Sequence, residues 1–116
     1  MAETTDPDRE RQKFRESYPS GFMAVMKNES IAYILDALLD APPHREFNQS
    51  ELAREAGVSR QTVNRHLDLL VGLGVLESVS ETSPTRYRFD PESDVSSALI
   101  RLEGAINAAG PISEDA

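Results

Sequence analysis

Cysteine and tryptophan are absent, and only two of the twelve basic residues, Lys13 and Lys27, are lysines. Without cysteine the chain has neither disulfides nor thiolate metal ligands, so its stability must come from packing. Long apolar runs are also missing, and none approaches the length needed to cross a bilayer. The N-terminus, Met1 to Asp8, is acidic where a secretory signal would be basic and then apolar, so the expected location is the cytoplasm. The two histidines, His44 and His66, have no second ligand at metal spacing. There is no glycine-rich phosphate loop, no histidine paired with a nucleophile and no acid cluster on one helix face. No metal, cofactor or enzymatic chemistry is expected, and no small-molecule ligand is evident.

Acid is what the chain has in excess. Twenty Asp and Glu against twelve Lys and Arg give a net charge of -8, the wrong sign for a nucleic-acid binder taken as a whole. The stretch from Arg45 to Arg88 is nevertheless balanced: Arg45, Arg54, Arg60, Arg65, Arg86 and Arg88 face Glu46, Glu51, Glu55, Asp68, Glu77 and Glu81. The surplus acid lies outside it. At 116 residues, 39% of them hydrophobic, the chain supports one modest core and is too short for two.

Periodicity divides this length into a few elements. Residues 1–17 are polar and predict an arm, partly helical at most. Tyr18 to Gly21 signals a turn, and Phe22, Met23, Val25 and Met26 form an apolar patch expected to pack on the domain. From Asn28, a candidate N-cap, Ile31, Ile34, Leu35 and Leu38 repeat at helical spacing until Pro42 and Pro43. Arg45 to Phe47 is a candidate short strand. Asn48 with Glu51 fits a capping box, predicting a helix from Gln49 to Ala56 that Gly57 stops. Ser59 then caps a third helix with the inward stripe Val63, Leu67 and Leu70, ended by Gly74. Residues 75–79 and 86–89 read as a hairpin. After Pro91, suited to a first helical turn, Val95, Leu99, Leu102 and Ile106 are spaced 4, 3, 4 along a last helix, extended by Ala109.

The run from Leu52 to Leu67 joins two of these helices through a tight turn. Ala53 is small where two helices cross closely, Gly57 permits positive φ, and Val58 and Val63 fill the angle between the helices. This run, with Leu73 to Glu77 after it, resembles the DNA-binding core of winged helix-turn-helix regulators of the ArsR and MarR type, particularly haloarchaeal ones. The resemblance covers roughly residues 28–90. It implies a mainly α fold with a small β-hairpin wing: a polar arm at 1–17, a winged helix-turn-helix at 18–90, a C-terminal dimerisation helix at 91–110 and a tail at 111–116. It also implies a transcriptional regulator, expected to repress by occupying a promoter. A protein-docking module within a transcription or replication complex is the alternative. The acid-rich, lysine-poor bias resembles proteins of salt-accumulating haloarchaea, with an ordinary acidic protein as the alternative.

With Val63, Leu67 and Leu70 turned inward, a 100° advance per residue turns Gln61, Asn64, Arg65 and Asp68 outward. Arg60, Gln61, Asn64 and Arg65 carry the groups that major-groove edges require: a guanidinium for guanine, an amide for adenine. Thr62 and Ser59 are candidate DNA contacts as well, with helix-start chemistry as the alternative for both. Asp68 marks the expected end of the footprint. Arg86 and Arg88 share a strand face and are candidate backbone or minor-groove contacts, unless Glu77 or Glu81 pairs with them across the hairpin. Arg54 and Arg45 are weaker phosphate candidates. His66 is expected to flank the core face.

The seam of Val95, Leu99, Leu102 and Ile106 suits a second copy of the same helix. Burying the four side chains contributes about 6–12 kcal/mol before association entropy is subtracted. The expected partners are therefore duplex DNA and the chain itself; the alternative is that the seam packs on the chain's own first helix. Leu69 and Val71, apolar where the outer face should be polar, extend either an interface or the patch around Phe22 and Met26. A two-fold dimer would present its reading helices about 34–36 Å apart, to a pseudo-palindrome.

Overall fold

The computed structural model describes residues 21–79 and 83–111, with Arg9, Lys13 and Glu16, each of them helical. The rest of the expected arm, the tail beyond Pro111 and the hairpin tip with Glu81 lie outside the described residues. Contacts divide the chain into Met1–Ala32 and Tyr33–Ala116. In the first unit are α1 (Gly21–Met26) and the beginning of α2 (Glu29–Asp40). The Asn28 side chain accepts from the Ser30 N–H at 3.0 Å, satisfying one of the donors that a helix start leaves open. Phe22 is 70% and Met23 51% exposed, with Met26 also exposed and Val25 half-buried.

α2 runs on to Asp40 in the second unit, and along the helix Ile31, Ile34, Leu35 and Leu38 are buried as their spacing predicts. β1 (Glu46–Phe47) follows, then α3 (Gln49–Ala56), whose start is the reciprocal box of Asn48 and Glu51. The Glu51 N–H donates to Asn48 Oδ1 at 2.8 Å and the Asn48 N–H to Glu51 Oε1 at 2.9 Å. That backbone donor, more than the arginines nearby, holds the Glu51 carboxyl below its usual range. Gly57 ends α3 in the left-handed region at φ 75°, and the Val58 N–H closes back on the Ala53 carbonyl at 3.0 Å.

α4 (Arg60–Gly72) starts from Ser59 and gives way at Gly74, φ 83°, to β2 (Leu76–Val79) and β3 (Arg86–Phe89). The hairpin is part of a larger sheet. β1 pairs antiparallel with β3 on its other edge, giving the order β1-β3-β2. α5 (Asp94–Ala108) begins after an N-cap at Ser93, whose side chain accepts from the Ser96 N–H at 3.1 Å. The helix therefore starts three residues beyond Pro91, because a serine hydroxyl can hold an open helix donor.

The core consists of the α2 stripe, Phe47, Leu52, Ala53, Ala56, Val63, Leu67, Leu70, Val75 and Leu76. Helices α2, α3 and α4, the small three-stranded antiparallel sheet and the C-terminal helix α5 make a winged helix. Among the described residues no helix is long and apolar enough to cross a membrane, and no group of His, Asp or Glu is arranged to hold a metal.

Candidate nucleic-acid interface

The turn at Gly57 sets α4 on α3 so that one face of α4 is covered and the other is open. Val63, His66, Leu67 and Leu70 are buried, whereas Arg60, Gln61, Asn64, Arg65 and Asp68 are exposed. At the helix start Ser59 Oγ accepts from the Thr62 N–H at 3.0 Å and lies 2.8 Å from Thr62 Oγ1. Both hydroxyls thus take part in capping, the alternative left open for them by the sequence. His66 is more buried than a boundary residue: its Nε2 is enclosed with no hydrogen-bond partner. Burial, and after it the charge of Arg65, lowers the affinity of its ring for a proton.

Charge is distributed unequally among the candidate cations. Among the described residues Arg60 and Arg65 have no acidic partner, whereas the sheet arginines are held by carboxylates. Register explains the second group. Arg88 lies directly opposite Glu46 on β1 and Glu77 on β2. Its Nε reaches Glu77 Oε2 at 3.0 Å and its Nη1 reaches Glu46 Oε2 at 3.8 Å. Arg86 contacts Glu46 Oε1 at 3.4 Å and Glu51 Oε1 at 3.2 Å, and donates to the Glu46 carbonyl. Pairing with Glu77 was an open alternative in the sequence. The larger share taken by Glu46 and Glu51 was not visible there, because it depends on β1 joining the sheet. Arg45 lies 4.4 Å from the Phe47 ring centroid and 3.7 Å from Glu55, and Arg54 is exposed.

The sequence reading also missed Gln49. From the first turn of α3 its Oε1 accepts from Asn64 Nδ2 at 3.2 Å, tying together residues 15 apart. Two open concavities meet there. One, of about 460 Å³, is lined by Gln49, Arg60, Gln61 and Asn64. The other, of about 190 Å³, lies toward the wing, with Asn48, Gln49, Ser50, Arg60, Pro84, Thr85 and Tyr87. Among the described residues no carboxylate lines either.

On α5 the seam is graded. Val95 and Leu99 are half-buried, whereas Leu102 is 50% and Ile106 42% exposed, and Ile100 beside them is exposed too. Among the outward apolar residues of α4, Val71 is exposed and Leu69 half-buried.

The arrangement of turn, open helix face and wing can be set against known proteins. Residues 32–86 match the MarR family. That stretch extends from α2 to the first residue of β3 and contains every outward residue of α4. Among solved structures, the crystal structure of NolR from Sinorhizobium fredii superposes with a TM-score of 0.57. It is 20% identical, and the alignment covers 97% of this chain and 100% of that one. At that identity the likeness is one of fold. No curated protein sequence matches the chain significantly.

Proposed function

We propose that this chain is a sequence-specific, DNA-binding regulator of transcription that works as a homodimer, with α4 in the major groove. The observation that carries the reading is the state of Arg60 and Arg65. In a chain of net charge -8 they stand exposed, without an acidic partner among the described residues, beside the amides of Gln61 and Asn64. A guanidinium can bond guanine O6 and N7, and an amide can bond adenine N6 and N7, so this short face holds donors and acceptors for both purines. The match to the MarR family over residues 32–86 supports the same reading.

Ser59 and Thr62, already joined at the helix start, keep hydroxyl capacity for a neighbouring phosphate. Arg86 and Arg88 take a secondary part, reaching the DNA backbone only by exchanging a carboxylate for a phosphate. Val95, Leu99, Leu102 and Ile106 form the dimer seam on α5, the exposed pair Leu102 and Ile106 being the half that a second copy would cover. Two reading helices then meet half-sites about one helical turn apart, and occupancy of a promoter by such a dimer represses it.

The test begins by enriching a duplex from a randomised pool with the wild-type chain, then comparing it with random duplex. Asn64→Ala combined with Arg65→Ala is expected to abolish the preference. Equal binding by wild type and double variant, or enrichment of no duplex, leaves docking to another protein as the role of the fold. For the seam, Leu102→Glu with Ile106→Glu is expected to give a monomer in sedimentation, and a variant that stays dimeric removes α5 from the interface.

A further inference from the structure

Asn64 is the one amide on the outward face of α4 whose orientation the protein itself fixes. Its Nδ2 donates to Gln49 Oε1 at 3.2 Å, across from α4 to the first turn of α3. We propose that Gln49 is a specificity-determining positioning residue: it aims the Asn64 amide at a base while its own amide nitrogen holds a backbone phosphate. This rests on the reading of α4 as the DNA-reading helix.

The donor inventory supports both halves. An Asn side chain has two N–H hydrogens and one carbonyl oxygen. With one hydrogen taken by Gln49, Asn64 retains one donor and one acceptor, the pair that adenine N7 and N6 require. An unrestrained Asn turns freely about its last bond and must be ordered when it meets the base; an Asn held by a neighbour has lost that freedom already. With the Asn64 amide group donating to Gln49 Oε1, Asn64 Oδ1 is left to accept from a base.

The rest of Gln49 faces a different chemistry. Among the described residues its Nε2 has no hydrogen-bond partner, and Gln49 lines both concavities at the junction of α3, α4 and the wing. The same linings contain Arg60, Ser50, Thr85 and Tyr87, and no carboxylate among the described residues. Such a set donates to an anion and does not repel it. On a duplex read by α4, the anion adjoining the base contact is a backbone phosphate.

Separating the two roles takes two substitutions. Gln49→Ala removes both, whereas Gln49→Glu keeps an oxygen that accepts from Asn64 and loses the donor to phosphate. The probes are the duplex enriched by the wild-type chain and its variants with one base pair changed. Asn64→Ala identifies the base pair read by Asn64, and circular dichroism confirms that each variant is folded. Gln49→Ala is expected to lose roughly tenfold in discrimination at that same base pair, as expected for loss of one well-placed base contact. Gln49→Glu is expected to weaken binding to every duplex alike while keeping the wild-type discrimination there. If Asn64→Ala abolishes discrimination and Gln49→Ala retains it, the positioning role of Gln49 is overturned and the reading of α4 stands. If Gln49→Glu binds all duplexes as tightly as wild type, the phosphate contact is overturned. If neither Asn64→Ala nor Arg65→Ala alters binding, the reading of α4 fails, and this inference with it.

Discussion

Gly74 lies so close to Ser93 that a Cβ on Gly74 would come within 2.9 Å of the Ser93 Cβ. The residue that lets the chain leave α4 therefore also lets it pass beside the N-cap of α5. Two constraints coincide, since Gly74 is also at φ 83°. Gly74→Ala is expected to cost about 2–4 kcal/mol, combining left-handed strain with overpacking. Gly72, two residues earlier in the helix, has open space around it. Alanine there is expected to be neutral or to stabilise by about 0.5–1 kcal/mol. Urea unfolding of the two variants checks the contrast, and midpoints that shift together would contradict it.

His66 makes stability depend on pH in a stated direction. Its folded ring binds a proton less readily than the ordinary value of 6.5, first because it is buried and then because Arg65 is near. Above that value the ring is neutral whether the chain is folded or not, so nothing is lost. As pH falls below it, the unfolded chain takes up the proton first and folding weakens, by at most about 1.4 kcal/mol per pH unit for one group. His66→Leu also removes the unpaired buried nitrogen, and it is expected to flatten the unfolding midpoint between pH 6.5 and the folded value. Parallel pH profiles for the variant and the wild type would show that the ring is not responsible.

Local chemistry was legible in the sequence and distant pairing was not. Asn48, Glu51, Gly57 and Ser59 act within about four residues of themselves, so their spacing alone located both ends of α3 and the start of α4. Ile31 to Leu38 and Val63 to Leu70 declared their buried faces by period. By contrast, Arg45 to Phe47 read as a short strand, but its pairing with β3 some forty positions later had no local signal. The partners of Arg86 and Arg88 followed from that missed pairing, as did the Gln49 to Asn64 bond from the packing of α3 on α4. Pro91 drew the start of α5 too early, because the capping serine at position 93 gives a weaker signal than a proline.

The ion pairs on the sheet restrain the wing cations and can be released. Arg88 is held between Glu46 and Glu77, and removing one acid frees part of its guanidinium. Glu77→Gln is expected to tighten binding to random duplex about two- to fivefold at low salt, through a gained phosphate contact and one negative charge fewer. Stability should change by less than about 1 kcal/mol, as for other exposed pairs. Arg88→Ala should cost less affinity than Arg65→Ala, since Arg65 has no carboxylate to leave. Fluorescence anisotropy on a random duplex measures the affinities of the three variants and urea unfolding the stability, and a loss from Arg88→Ala equal to that from Arg65→Ala would contradict the ranking.

Salt tests the meaning of the acidic composition. Six conventional phosphate contacts would lose roughly 10⁶ in affinity between 0.2 and 3 M salt through counterion release. A regulator that had to bind DNA in molar salt could not sustain such a loss. The acids here are scattered and the cations almost all arginine, so solvent cations held by the protein surface are available to be shared with the phosphates when the two surfaces meet. Fewer ions are then released per contact, and the slope of log affinity against log salt is expected to be much shallower than six contacts require. Titration of the enriched duplex across that range measures the slope. A steep, conventional value would mean that the acid excess does not serve DNA binding in salt, and that the chain works only where salt is low.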